Sequence, residues 1–244
     1  MTYPLFLIPR DSVLSLDAPL RLDGDEGRHA ATVKRMRLGE KVDLTDGQGT
    51  RAHGDVIGLG KDWLELQITD IAHEPKPKLE VTVAQAIAKG ERAELSVELM
   101  TEVGVWQIIP WQAAHSVARW DSSEKHRDKW ARTAREAAKQ SRRAWVPEVE
   151  KLHTTKDIQN LIPKFDAVYV LHESAQNALL AIPHLDSGSV LCVVGPEGGI
   201  SADELEIFES AGAHIVRMGP SVLRTSTAGA VATAVLLSKT TDWL

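Results

Sequence analysis

The sequence predicts two domains of different class, a small β-barrel at the N-terminus and a larger α/β domain with a mainly parallel sheet behind it. Before residue 74, short runs alternate apolar and polar residues, as in KVDLTD (41–46) and DWLELQITDI (62–71), with the glycine-rich, hairpin-like DGQGTRAHGD (46–55) between them. Alternation with a period of two, broken by turn residues, is the pattern of a small barrel. After residue 78, apolar runs alternate with helical segments, which implies βαβ units and a sheet buried on both faces. EPKPK (74–78) sets two prolines and three charges between apolar segments and marks the boundary. The expected division is 1–73, a linker at 74–78, and 79–244.

One short helix, 25–36, interrupts the barrel strands. In the second domain the apolar runs place strands at 79–88, 107–111, 167–171, 190–194 and 214–218, and helices at 92–103, 125–141, 202–211 and 227–239. The third of these helices begins with Ser201 and Glu204 spaced as a capping box and carries Asp203 in its first turn. The last, AGAVATAVLLS (228–238), is small and apolar on every side, so it is expected to be buried all round, within the fold or against another subunit.

A chain of 244 residues, 43% hydrophobic and 25% charged, can bury a proper core. Cys192, the only cysteine, lies in an apolar run, which excludes disulfides and thiolate metal sites and suits a core residue in a reducing cytoplasm. The apolar run 5–8 is too short for a signal peptide and no stretch approaches a membrane span. A formal charge of −6 gives no global footprint for nucleic acid, so such binding requires a local basic surface. The nine histidines show no metal-ligand spacing, and His115 and His172 read as satisfied polar residues. Ser174, Ser201 and Ser221 lack the context of a hydrolase nucleophile, and no phosphate-loop motif is present.

Three C-terminal strands end in chemically unusual loops: LHES (171–174), GPEGG (195–199) and MGPSVLRTSTAG (218–229). Ligands of parallel α/β sheets bind beyond the carboxyl ends of the strands, so these loops are expected to share one crevice. Glycines in the central loop permit close approach of backbone to a ligand. A helix N-terminus follows and would attract phosphate, but Ser201, Asp203 and Glu204 already occupy it with a cap and negative charge. A neutral or cationic ligand held by backbone contacts fits better, and a tight turn without a ligand is the alternative. Arg224 requires a partner, either a salt bridge to Glu197 or Glu173 or a substrate.

Two basic clusters complete the pattern. The stretch 119–143 holds nine Lys or Arg against four Asp or Glu, crowding at Lys139, Arg142 and Arg143, and TVKRMRLGEK (32–41) supplies Lys34, Arg35, Arg37 and Lys41. Either cluster alone reads as a solvated face; two of them beside a small barrel point to an RNA surface.

VVGPEGGISADE (193–204) followed by MGPSVLRTSTA (218–228), preceded by AKGERAELSVELMTEVGV (88–105) and EAAKQSRRAWVPEV (136–149), resembles the RsmE family of SPOUT-class methyltransferases. RHAATVKRM (28–36) extends the resemblance into the first domain, so that it covers nearly the whole chain. The resemblance implies a PUA-like barrel, a trefoil-knotted α/β domain and a homodimer. It also implies S-adenosylmethionine-dependent methylation of N3 of one uridine in 16S rRNA of the small ribosomal subunit. Carried over by motif, the cofactor site comprises Leu171, His172, Glu173, Gly195, Pro196, Glu197, Gly198, Gly199, Met218, Gly219, Val222, Leu223 and Thr225. Arg224 is the catalytic candidate. The RNA-side set is Arg10, Arg28, Lys34, Arg35, Arg37, Lys89, Arg92, Gln140, Arg142 and Arg143, with Glu136 beside it. No metal is implied. Ser226 departs from the acidic residue usual after R-T, and His115 stands where arginine is common. Ribose 2′-O methylation by the same fold, and a non-catalytic RNA-binding assembly factor, are the alternative functions.

Overall fold

The computed structural model describes residues 3–121, 124–183 and 185–243. Its contacts fall into two units, Met1–Lys76 with Ala138–Val146, and Pro77–Ala137 with Pro147–Leu244.

In the first unit β1 (Leu5–Leu7), β2 (Leu20–Leu22), β3 (Lys41–Thr45), β4 (Thr50–Leu59) and β5 (Leu64–His73) form one sheet in the order β1-β3-β4-β5-β2. Only β1 and β3 run parallel. Val42, Leu44, Ala52, Val56, Leu64, Leu66 and Ile68 alternate along their strands and point to a shared core with Phe6 and Leu22. Register shifts between β4 and β5 at His53/Gly54 and Val56/Gly58 curl the sheet around that core. The glycine-rich stretch 46–55 divides into a turn and the first half of β4, which extends well past it. The helix expected at 25–36 is a short α1 (Gly24–Arg28) running into a π-helical turn, His29–Val33.

Residues 138–146, read from the sequence as part of the second domain, make their contacts in the first unit. The Ala144 carbonyl accepts from Thr45 Oγ1 at 3.1 Å and from the Gly49 amide at 3.0 Å, and the Val146 amide donates to Gly47. Trp145 Nε1 donates to the carbonyls of Glu74 and Pro75, both at 3.1 Å, so the first residues of the expected linker are tied down. Gly49 (φ +96°) is required there, because a Cβ would lie 2.5 Å from the Trp145 ring.

The second unit holds a seven-stranded sheet in which every strand pair is parallel. Its strands are β6 (Leu79–Ala86), β7 (Gln107–Gln112), β8 (Glu148–Val149), β9 (His153–Thr154), β10 (Ala167–Leu171), β11 (Gly188–Val194) and β12 (His214–Val216). The order is β12-β10-β11-β6-β7-β8, with β9 also on β7. Both faces are buried, and the strands divide their side chains between them. Val81, Val83, Val190, Cys192 and Val194 face one core, shared with α2 (Arg92–Glu102), α3 (Lys125–Gln140) and α6 (Thr225–Leu237). Ala84, Ala86, Leu191 and Val193 face the other, with Ile158 of α4 (Thr155–Leu161) and Phe208 of α5 (Ala202–Ser210). Two covered faces explain why these strands read as continuous apolar runs. Helix α6 begins two residues earlier than expected and is not buried all round within this chain: Thr227, Ala234 and Val235 are half-buried and Val231 is 39% exposed. Helix α4 and strands β8 and β9 were not anticipated.

Candidate functional site

The parallel registers bring the ends of four strands to one level. Leu171 of β10 lies beside Val194 of β11 and Val216 of β12, and Val194 lies beside Gln85 of β6. The three unusual loops therefore leave the sheet together on its carboxyl edge, and they enclose a cavity of about 360 Å³. All thirteen residues assigned from motif to a cofactor site line it: 171–173, 195–199, Met218, Gly219, Val222, Leu223 and Thr225. Val194, Ile200, Arg217, Pro220, Ser221 and Ala228 complete the wall.

Close backbone contacts hold the loops in place. The His172 amide donates to the Val216 carbonyl at 2.9 Å, and Thr225 Oγ1 donates to the Gly195 carbonyl at 2.7 Å. The Gly199 amide closes the central turn onto Pro196 at 3.0 Å with Gly199 at φ +76°. A Cβ on Gly195 would lie 2.6 Å from Ile200 Cγ1, so the turn can fold back on itself only with glycine there. His172 Nδ1 accepts from the Ser174 amide at 3.3 Å and lies 2.8 Å from the Ser174 hydroxyl. His115 is a neighbour of the turn: its Nδ1 lies 3.2 Å from the Gly198 carbonyl.

The capping box at the start of α5 is present, and Glu204 is more than a cap. Only 4% exposed, its carboxylate accepts from the Ala114 amide (2.8 Å), Thr155 Oγ1 (2.9 Å), and the Ser201 amide and hydroxyl (both 3.1 Å). It thereby ties the loop after β7 and the start of α4 to the end of the GPEGG turn. The helix N-terminus is satisfied internally, and the carboxylates that line the cavity are Glu173 and Glu197. Glu197 Oε1 accepts from the Lys89 amide at 3.5 Å.

Arg224 is the N-cap residue of α6 and its side chain is exposed. Among the described residues it forms no ion pair, so the salt bridge to Glu197 or Glu173 is not made. It does not line the cavity, whereas its neighbours Leu223 and Thr225 do. Ser226 is 2% exposed in the first turn of the same helix.

The basic residues fall in both units. Arg10, Arg28, Lys34, Arg35 and Arg37 are exposed in the first unit, which also holds Gln140, Arg142 and Arg143; Lys89 and Arg92 are exposed in the second. Arg35 (φ 53°) and Arg142 (φ 58°) adopt the left-handed conformation that costs a side-chain-bearing residue energy. Burial lowers the Arg143 guanidinium to about 10, which leaves it charged at neutral pH. Lys139 is a correction. Only 6% exposed, it donates to Glu26 Oε1 at 2.8 Å and so belongs to the interior of the first unit, not to a basic surface. Its burial comes at the last turn of α3, on a face that is exposed earlier along the helix, and charge counting along the sequence does not register it.

Two polar residues of the site carry little signal in the sequence, one in the cavity wall and one beneath it. The apolar run predicts a strand through 218, but β12 ends at Val216, and Arg217 lines the cavity with its guanidinium donating to the Ala175 carbonyl. Gln85, a polar residue inside an apolar strand, was the available signal for a buried support beneath the loops.

No group of three His, Cys, Asp or Glu among the described residues could hold a metal ion. No helix among them is long and apolar enough to cross a membrane.

Comparison with known proteins bears on both units. A family model described as an RNA methyltransferase domain matches residues 74–237, and one described as an RNA methyltransferase PUA domain matches 22–69. The chain is 42% identical over 239 residues to ribosomal RNA small subunit methyltransferase E of Mycobacterium tuberculosis, covering 96% of this chain and 91% of that one. The protein of the same name from Bacillus subtilis is 31% identical over 217 residues, 85% of each chain. The crystal structure of ribosomal RNA small subunit methyltransferase E from Neisseria gonorrhoeae bound to S-adenosyl methionine superposes with a TM-score of 0.90 at 27% identity, over the full length of both chains. A parallel sheet with three loops at its carboxyl edge, a curled N-terminal sheet and identity across nearly the whole chain agree, and the chain belongs to the ribosomal RNA small subunit methyltransferase E family.

Proposed function

We propose that this protein transfers the methyl group of S-adenosylmethionine to N3 of one uridine in 16S rRNA. The convergence of all thirteen motif residues on one cavity carries the reading. Its volume of about 360 Å³ lies in the range of small-molecule sites. The lining suits this donor: Leu171, Val194, Pro196, Ile200, Met218 and Leu223 offer apolar walls for a purine, the loops offer backbone donors and acceptors, Glu173 and Glu197 face a cationic ligand, and Arg217 can meet a carboxylate. When bound, S-adenosylmethionine supplies an electrophilic methyl on a sulfonium.

The chain itself has to orient the uracil and handle its charge. N3 is hidden in a base pair, so the uridine must be single-stranded or extruded. Positioning N3 in line with the S–CH3 bond supplies much of the rate. N3 must lose its proton, and negative charge then spreads to the uracil oxygens. Arg224, exposed beside the cavity and without an acidic partner among the described residues, can present its guanidinium fork to such an oxygen. Arg10, Arg28, Lys34, Arg35, Arg37, Arg142 and Arg143 of the first unit, with Gln140, and Lys89 and Arg92 of the second, are proposed to hold the phosphate backbone. A trefoil knot in the second unit, a cytoplasmic location and a homodimer belong to the same reading. The half-exposed apolar stripe of Val231, Ala234 and Val235 on α6 supports the homodimer, which light scattering of the purified chain tests.

The proposal is tested by incubating the protein with S-adenosylmethionine and small-subunit RNA, naked and assembled, and digesting the product to nucleosides for mass spectrometry. N3-methyluridine is expected. A 2′-O-methylated ribose would establish the alternative chemistry, and the absence of both product and cofactor binding would favour a non-catalytic RNA-binding factor.

A further inference from the structure

The centre of the second unit holds a polar side chain that packing alone does not explain. Gln85 is 0% exposed in β6, between Val194 of β11 and Pro110 of β7. Its Nε2 lies 3.0 Å from Thr225 Oγ1, 3.1 Å from the Ala86 carbonyl and 3.4 Å from the Thr225 carbonyl. Two of these neighbours are carbonyl oxygens, which accept only, so the nitrogen must be on this side and the amide orientation is settled. Its Oε1 is buried without a hydrogen-bond partner among the described residues, a cost that a leucine or methionine of similar volume would avoid. Room for that oxygen depends on Gly229 of α6, whose Cβ would stand 3.3 Å from it and 2.7 Å from Met100 Sδ.

The hydrogen-bond chain has a direction. Because Gln85 donates to the Thr225 hydroxyl, that hydroxyl's single proton is directed to its other neighbour, the Gly195 carbonyl at 2.7 Å. Gly195 opens the GPEGG turn, and both Thr225 and Gly195 line the cavity. We infer that Gln85 is a positioning residue for the ligand cavity, fixing the polarity of the Thr225 hydroxyl and through it the seating of the GPEGG turn. It touches no ligand itself and acts through Thr225. Its effect on cofactor binding rests on the proposed methyl-donor reading, but its effect on the turn does not.

Two readouts on the full-length protein separate these claims: hydrogen exchange of the peptide 193–201 in the ligand-free protein, and calorimetry with S-adenosylmethionine. Gln85→Met is expected to speed exchange of that peptide and to weaken cofactor binding about tenfold. In a Thr225→Val background, the same change should add less than about twofold, since the relay is already broken. Gln85→Glu gives a signature that a packing role would not. The ionised carboxylate takes the Thr225 proton and releases Gly195, whereas the protonated acid restores a donor. Its affinity relative to wild type measured at the same pH should therefore recover as pH falls from about 8.5 to about 6. If the Gln85 variants do not fold, Thr225→Ser must recover exchange protection that Thr225→Val loses. Equal effects of Gln85→Met with and without the Thr225 hydroxyl, or unchanged exchange of 193–201, overturn the inference. Absence of cofactor binding in the wild type overturns the functional reading alone, and the exchange data still decide the role of Gln85.

Discussion

Replacing Glu204 tests the physical basis of the site most severely, because one side chain joins three segments around the GPEGG turn. In Glu204→Ala the Ser201 hydroxyl can still cap the Glu204 amide, at 3.3 Å, so α5 keeps half of its box. What is lost is the acceptor for the Ala114 amide at 2.8 Å, the Ser201 amide at 3.1 Å and two hydroxyls. The hydroxyls can turn to other partners; the two backbone amides are fixed in direction. Losing hydrogen bonds to this buried carboxylate costs about 1.5–3 kcal/mol and losing the reciprocal cap about 0.5–2 kcal/mol, which together give about 3 kcal/mol. For a chain of this size that lowers the thermal midpoint by about 6–12 °C. Glu204→Gln, which keeps one acceptor oxygen, should lose less than half as much. The assay is calorimetric or chemical unfolding of both variants beside the wild type. A midpoint for Glu204→Ala within about 2 °C of wild type would refute the reasoning, since the loss of a hydrogen bond to a buried carboxylate alone exceeds that.

Other consequences follow from the same geometry. Arg224→Ala should reduce turnover by about a hundredfold or more while changing the calorimetric affinity for S-adenosylmethionine by less than about threefold, as loss of one oxyanion donor does; an unaltered rate would remove Arg224 from the chemistry. Lys139→Met strands the Glu26 carboxylate, whose side chain is 15% exposed, and should destabilise the protein by about 3–5 kcal/mol in denaturant titration. Adding Glu26→Leu should recover most of that loss. Backbone and hydroxyl hydrogen bonds from Thr154 hold the Asp157 carboxyl below the usual carboxylate range. A lowered folded-state value means that this stabilisation is complete above the unfolded-state value and disappears as pH falls through the folded one. Wild type should therefore lose stability in acid over that window more steeply than Asp157→Asn, as measured by unfolding midpoints.

Much of this architecture is legible in the sequence, for identifiable reasons. The parallel sheet announces itself because both of its faces are covered, so Val190 to Val194 can be apolar throughout, and the shared crevice of the three loops follows from the rule that such sheets bind beyond their carboxyl ends. Ser201 and Glu204 reveal a helix start through spacing alone. What spacing does not carry is the destination of a side chain. Lys139 looks like one more cation in a basic run, yet the rotation of α3 turns it to Glu26. Residues 138–146 continue a helix that begins in the second unit, but long-range bonds with Thr45, Gly47 and Gly49 claim them for the first unit. Short elements such as β8, β9 and α4 carry too few residues to show a period. Arg217 was hidden by a strand read two residues too long, and Gln85 by the strength of the apolar pattern around it.

The central claim, that three loops at the carboxyl edge of the sheet build one methyl-donor site, is tested most directly by a crystal structure of this protein with S-adenosylmethionine. The ligand should lie against 171–173, 195–199 and 218–223, with its methyl group toward the side of Arg224. Density for the ligand elsewhere, or an empty cavity at saturating concentration, would contradict it.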